Sequence, residues 1–224
     1  EMRNRMETLA RTSNSAVIAD GDTGYGGLLN VHHTVKGYEA AGVTAIQLED
    51  QEFPKKCGHT PFKRLIPMED MVEKIQVAVD AREDQNFLIV ARTDARESEG
   101  MDGVLRRLEA YDKAGADIIF PESLTSEEEM RLACNRFEKP VMANMSNGGL
   151  SPVPNASVLA EIGYAFAIYP SLTSLAAAAA MEKALIGLKE DGIGQPDGIF
   201  DFSEFCSLIG FEEVWDFEKK WAKS

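Results

Sequence analysis

The sequence predicts an α/β protein built as a β/α barrel. Three observations carry that reading. Short apolar runs alternate with helical patterns, glycines punctuate the helix-to-strand turns, and polar residues collect at the C-terminal ends of the runs. The stretches YEAAGVTAIQLED, YDKAGADIIFPES and LAEIGYAFAIYPS share one layout: helix formers, a glycine, an apolar run and a polar close. Glycine just past a helix end is the residue expected at a left-handed cap, so Gly42, Gly115 and Gly163 mark helix-to-strand turns. The runs at 45–48, 118–120 and 166–169 are apolar on consecutive residues, which suits parallel strands buried on both faces.

Taken in order, further strands are expected at AVIAD (16–20), FLIVARTD (87–94) and PVMANMS (140–146). Helical patterns fall at roughly 30–41, 68–83, 101–114, 125–136, 155–162 and 171–190, which gives a repeat of about 30 to 35 residues, the spacing of βαβ units. Six units are too few to close an eight-stranded barrel and would suffice for an open doubly wound sheet. The polar residues decide between the two. Asp20, Asp22, Glu49, Asp50, Arg92, Asp94, Glu122, Asn144 and Ser146 lie at five of the six strand ends. A barrel assembles its site from several strand ends, whereas an open sheet draws on fewer, at one switch point.

The chain is read as one domain over 1–224, and 190–224 is a helical extension rich in aromatics suited to packing or subunit contact. The opening EMRNRMETLARTS has the character of a helix interior, which leads us to expect an upstream segment. The alanine-rich SLAAAAAMEKAL reads as a packed helix.

Composition narrows the function classes. With 224 residues, 44% hydrophobic and 27% charged, the chain has the profile of an ordinary globular protein. A net charge of −14 argues against nucleic acid or an anionic membrane surface as partner. It leaves an anionic substrate open, because a bound cation and a few basic residues can reverse the field within one pocket. Cys57, Cys134 and Cys206 are an odd, widely spaced set, so a reducing intracellular compartment is expected, cytoplasm or an organelle matrix. No apolar run approaches the roughly 20 residues of a membrane span.

Five segments carry chemistry. ADGDTGYGG (19–27) places Asp20 and Asp22 directly after a strand. It is either an acidic turn or a hard-cation site, since Mg²⁺ takes one or two carboxylates and completes its shell with water and substrate oxygens. LEDQ adds Glu49 at another strand end, able to share that ion. ARTDA puts Arg92 at the end of a buried strand, where an arginine either bridges carboxylates or clamps a substrate carboxylate. NMSNGGLSP offers an amide, hydroxyls and backbone N–H groups that could hold an anionic oxygen, and is equally readable as a turn. KKCGH holds a lone thiol. Structural zinc needs four ligands and no second cluster exists, and a redox pair lacks its partner. The basic neighbours Lys55, Lys56 and His59 would favour the thiolate, making Cys57 a candidate proton donor or nucleophile beside the reading of an inert loop.

Together, and in this order and spacing, these segments resemble the isocitrate lyase/phosphoenolpyruvate mutase superfamily over essentially the whole chain. The similarity is to its short-chain branch of 2-methylisocitrate lyase, dimethylmalate lyase, oxaloacetate enzymes of the petal-death-protein type and carboxyphosphonoenolpyruvate phosphonomutase. KKCGH matches the branch signature K-[KR]-C-G-H. The resemblance implies a (β/α)8 TIM-type barrel, here lacking the first two strands. It also implies a homotetramer with C-terminal helices exchanged between subunits. It implies Mg²⁺, with Mn²⁺ as the alternative ion, held by Asp20 directly and by Asp22 and Glu49 mostly through water. The metal and Arg92 would take the 2-hydroxy or 2-keto carboxylate end of a small-molecule substrate. Asn144, Ser146 and Ser151 would meet a second carboxylate, with Gly58 and Glu122 completing the substrate set. Cys57 would be the general acid, with Lys55 and His59 as further catalytic residues on the same mobile loop.

The expected activity is cleavage of a C–C bond in a 2-hydroxy di- or tricarboxylate. Tricarboxylate-using relatives look to carry an arginine shortly after the Y-P, where this chain has Thr173, Ser174 and Leu175. A substituted malate is therefore the better expectation. Pro170 resembles the C–C lyases, in contrast to the histidine or serine of oxaloacetate decarboxylases and hydrolases. Those two activities and the phosphonomutase reaction are the alternatives, with a non-catalytic truncated barrel behind them.

Overall fold

A computed structural model describes residues 1–221. These fall into two compact units, Glu1–Leu172 and the segment from Thr173 onward. In the first unit, strands β1 (Ile18–Asp20), β2 (Ala45–Glu49), β3 (Leu88–Thr93), β4 (Ile118–Pro121), β5 (Met142–Asn144) and β6 (Phe166–Ile168) alternate with helices. The helices are α1 (Met2–Thr12), α2 (Leu28–Ala40), α3 (Met68–Ala81), α4 (Arg96–Lys113), α5 (Glu127–Arg136) and α6 (Ala156–Ile162), with α7 (Leu172–Asp191) following β6.

Every strand pairing is parallel, and the strands stand in sequence order. A parallel bridge between Ile119 and Val141 sets β5 beside β4. A doubly wound sheet reverses its strand order at a switch point. Here the order never reverses, so each helix returns the chain one strand onward, as in a β/α barrel.

The core has two layers because side chains alternate across a strand with period two. Ile46, Leu48, Ile89, Ala91 and Ile119 pack outward against the helices, joined by Val31, Val35, Met71, Ile75 and Leu108. Ala45, Val90, Ile118, Phe120 and Met142 pack together on the other face. On α2, Val31, Val35 and Tyr38 lie four and three residues apart, and Met71, Ile75 and Ala78 repeat that spacing on α3, so each helix turns one stripe inward. Burying a side chain such as Ile75 or Phe120 contributes about 1.5–3 kcal/mol.

The predicted caps hold, with φ of 82°, 107° and 110° at Gly42, Gly115 and Gly163. Helix α5 starts on a side-chain cap, Ser126 accepting from the Glu129 N–H, with three glutamates in its first turn. Helix α4 starts earlier than the periodicity suggests, but it is broken at Gly100 (φ 67°, ψ −173°), so its continuous part begins near the predicted position.

The second unit contains most of α7, with α8 (Phe202–Leu208) and α9 (Phe211–Trp221). The alanine-rich helix forms as expected, yet none of its residues is buried in this chain, nor is any on α9. Phe202, Phe217 and Trp221 are 78%, 64% and 63% exposed. Leu175, Met181 and Leu185 of α7 are likewise exposed in this chain. No helix among the described residues is long and apolar enough to cross a membrane.

Candidate active site

Because the strands are parallel, their C-terminal ends share one face, and the alternation that builds the inner core layer decides which polar side chains enter it. Stepping by two from Ala45 reaches Gln47 and Glu49. From Val90 it reaches Arg92 and Asp94, from Phe120 it reaches Glu122, and from Met142 it reaches Asn144. Register pairs Glu49 with Arg92 across β2 and β3. The polar ends are therefore upward continuations of the apolar inner layer.

Arg92 is the centre of this group. Its Nε and Nη2 donate to Asp94 Oδ2 and Oδ1 at 2.9 and 3.0 Å, a bidentate pair. Nη1 lies 3.3 Å from Glu122 Oε2, and Nε lies 3.6 Å from Glu49 Oε2. The guanidinium also stacks over Phe120, 5.2 Å from the ring centroid. Burial alone would weaken its charge, and the three carboxylates more than restore it.

The carboxylates differ in how far they are satisfied. Burial would raise Glu122, but Arg92, His59 and Asn144 hold it down at about 2. Burial pushes Glu49 up to about 7, with Asp94 and Asp20 adding to the effect against Arg92 and Lys55. Glu49 Oε1 is buried without a hydrogen-bond partner, an orphaned acceptor of the kind that marks a binding position.

Lys55 Nζ stands among the acids: 2.6 Å from Asp22, 3.3 Å from Glu49 and 3.8 Å from Asp20. Asp22 holds a left-handed backbone (φ 48°), and its N–H is accepted by Asp20 Oδ1 at 2.9 Å. Its own carbonyl accepts from the Glu49 N–H at 2.9 Å, tying the β1 and β2 ends together. Three carboxylates converging on one cation, one of them with a free buried oxygen, fit a hard divalent ion. Among the described residues no group of three or more His, Cys, Asp and Glu side chains is arranged to hold a metal ion as it stands. Mg²⁺ takes one or two carboxylates and keeps several waters, so it needs no closed set of side chains.

The KKCGH loop lies against the same face. Gly58 needs to be glycine, because a Cβ there would collide with Arg92 Nη2 and come within 2.6 Å of Glu122 Cγ. The Gly58 carbonyl accepts from Ser123 Oγ and Lys63 Nζ, each at 2.7 Å. His59 Nδ1 accepts from the Leu150 N–H at 3.1 Å, so the ring proton is on Nε2, which donates to Glu122 Oε1 at 3.1 Å. The 3.5 Å approach of Asn144 Nδ2 to Nε2 is then a contact of two N–H groups. Asn144 Nδ2 instead donates to Glu122 Oε2 at 3.0 Å.

Cys57 is exposed, and its thiol has no hydrogen-bond partner among the described residues. Lys55, Lys56 and His59, expected from sequence to act on it, direct their polar atoms to the acid cluster, to the Phe62 carbonyl and to Glu122. Ser146 and Ser151 are half-buried in the loop after β5.

Three contributors were missed as site residues. Asp94 anchors Arg92, and the two-residue step from Arg92 was the available signal. Ser123 holds the Gly58 carbonyl. Asp50, fully buried, accepts from Thr93 Oγ1 (2.5 Å), the Asp94 N–H (3.0 Å), Tyr111 OH (2.7 Å) and Arg107 Nη1 (3.3 Å). It faces opposite to Glu49 and supports Asp94 from behind.

Parallel β/α units with acids, an arginine and a thiol loop gathered at one set of strand ends define a barrel-type enzyme acting on small carboxylates. Residues 1–189 match the family model described as phosphoenolpyruvate phosphomutase. The chain belongs to that family, within the PEP mutase/isocitrate lyase superfamily. It is 43% identical to the 2,3-dimethylmalate lyase of Eubacterium barkeri, over 99% of this chain and 78% of the relative. To the 2-methylisocitrate lyase of Aeropyrum pernix it is 45% identical, over 95% of this chain and 68% of the relative. A crystal structure of 2,3-dimethylmalate lyase superposes with a TM-score of 0.89 at 34% identity, covering 98% of this chain and 74% of that one. Oxaloacetate acetylhydrolase bound to 3,3-difluorooxalacetate also scores 0.89, at 31% identity with 98% and 75% covered. Phosphonopyruvate hydrolase in complex with oxalate and Mg²⁺ scores 0.83, at 28% identity with 100% and 80% covered.

Proposed function

We propose that the protein is a Mg²⁺-dependent lyase that cleaves a C–C bond of a 2-hydroxy dicarboxylate, with a substituted malate as the preferred substrate. The observation that carries this reading is the convergence of Asp20, Asp22 and Glu49 on one cation beside Arg92, under a loop that presents a thiol. Asp20, Asp22 and Glu49 would hold the ion, Mn²⁺ being the alternative. When bound, it would supply electrostatic stabilisation of the negative charge that develops on the substrate oxygens.

The chain's own groups do the rest. Arg92, fixed by Asp94 and Phe120, orients the 2-hydroxycarboxylate end. Asn144, Ser146 and Ser151 receive the second carboxylate, and Glu122 holds Asn144 and His59 in place. Gly58 lets the loop close without a side chain in the way. As the C–C bond breaks, its electrons pass to the fragment that becomes an enolate-like carboxylate, and the hydroxyl carbon becomes a carbonyl. Cys57 then donates its proton to the carbanionic carbon. The hydroxyl proton leaves to solvent and the Cys57 thiolate takes one back from solvent, so the reaction is balanced overall. The uncovered faces of α7 and α9 support a homotetramer in which C-terminal helices are exchanged between subunits.

Incubating the protein and Mg²⁺ with a panel of 2-hydroxy and 2-keto di- and tricarboxylates tests the reading. Release of pyruvate or glyoxylate supports it. Oxalate or CO₂ formed from oxaloacetate would establish the hydrolase or decarboxylase reaction instead. Pro170 and the lyase relatives favour the first outcome.

A further inference from the structure

We infer that Lys55 is the built-in counter-ion of the carboxylate cluster, and that a divalent cation entering the cluster expels its ammonium and loosens the loop that carries Cys57. The inference rests on Asp20, Asp22 and Glu49 being the cation ligands, as proposed above.

The geometry makes the two cations exclusive. Lys55 Nζ contacts all three carboxylates from a side chain that is 27% exposed. A divalent ion bound to the same oxygens would stand within a few ångströms of that ammonium, and like charges so close repel strongly in a partly buried site. Three converging carboxylates repel each other unless a cation stands among them. Lys55 meets that need, and its position two residues before Cys57 links the cluster to the acid.

Four tethers hold the stretch 55–59 around Cys57. Gln51 brackets Lys56 through its amide, accepting from the Lys56 N–H at 3.0 Å and donating to the Lys56 carbonyl at 2.9 Å. Ser123 and Lys63 hold the Gly58 carbonyl. His59 is pinned between Glu122 and the Leu150 N–H. The Lys55 ammonium is the fourth, and its partners are the groups that an incoming cation would take. Filling the cluster therefore removes one tether and leaves the other three. Lys56 is a natural control, since its Nζ donates to the Phe62 carbonyl at 3.2 Å and lies 5.8 Å from the Phe62 ring centroid, away from the acids.

The test measures Mg²⁺ binding by calorimetry on the full chain and on Lys55→Met, Lys55→Arg and Lys56→Met. It also follows the alkylation rate of Cys57 by iodoacetamide, read by peptide mass spectrometry, with and without Mg²⁺. Lys55→Met is expected to bind Mg²⁺ roughly tenfold more tightly, the scale of a few partly screened ion pairs removed from competition. Lys55→Arg and Lys56→Met should stay within about twofold of the parent. Mg²⁺ should raise Cys57 alkylation roughly threefold in the parent, whereas Lys55→Met should alkylate fast without Mg²⁺ and ignore its addition. Lys55→Gln repeats both measurements if the methionine variant does not fold. Equal or weaker Mg²⁺ binding by the neutral variants, or a Cys57 rate in them that still responds to Mg²⁺, overturns the counter-ion role. If the parent itself takes up no Mg²⁺, or Asp20→Asn binds it as well as the parent, the cation-site reading fails instead.

Discussion

Replacing Glu122 by glutamine is the sharpest probe of how the site is held together. The carboxylate is fully buried, faces Arg92 at 3.3 Å, and accepts from His59, Asn144 and the Ser123 N–H. Two routes give its worth. The fall of its carboxyl from an ordinary 4.5 to about 2 corresponds to about 3 kcal/mol of preference for the charged form in the folded protein. Independently, removing one partner of a buried ion pair costs about 3–5 kcal/mol. Arg92 keeps its bidentate bonds to Asp94, which points to the lower end. Glu122→Gln should therefore lose about 3 kcal/mol at pH 7, or about 6–12 °C in Tm for a chain of this size. The sign with pH is defined. Because the folded pKa is depressed, the stabilisation is complete above 4.5 and is lost as pH falls towards 2, so the gap between parent and variant should shrink to about 1 kcal/mol near pH 3. Urea unfolding of both proteins at pH 7 and pH 3 measures it. A variant within about 1 kcal/mol of the parent at pH 7, or a gap that does not change with pH, would refute the account.

Other consequences are checked as directly. Cys57→Ser should lower kcat by about 10²–10⁴ while KM and unfolding midpoint stay close to the parent, since the thiol is exposed and makes no structural bond; undiminished turnover removes it as the acid. Gly58→Ala should abolish turnover through the collision with Arg92 and Glu122 and should lower Tm, because moving the loop outward breaks the bonds of Ser123 and Lys63 to the Gly58 carbonyl. Burial pushes Glu49 up to about 7, so Mg²⁺ binding should tighten as pH rises from 6 to 8. It should also release up to about one proton per ion near neutrality, seen by calorimetry in two buffers of different ionisation enthalpy. Asp50→Asn should destabilise by about 1–3 kcal/mol, because a buried acceptor of four donors is replaced by a group that can accept fewer.

Much of this was legible in the sequence because one rule serves both fold and site. In a parallel strand buried on both faces, the apolar run names the strand, and its last one or two residues name the rim of the barrel. AIQLED, LIVARTD and IIFPES each show that change from apolar to polar, which is why Glu49, Arg92 and Glu122 could be selected without coordinates. Which polar residue faces which neighbour is a matter of parity and register, and there the reading was incomplete. Asp50 and Asp94 look equivalent in sequence, each an aspartate at a strand end. Asp94 shares the parity of Arg92 and joins the site, whereas Asp50 faces opposite to Glu49 and meets Tyr111 and Arg107 of α4. The partners of Lys55 were hidden for a different reason. A lysine beside a cysteine invites pairing of the two, but a flexible four-carbon stem reaches whichever charge is greatest. Three carboxylates from two strand ends outweigh one thiol. Lys55 therefore answers first to the charge of the cluster.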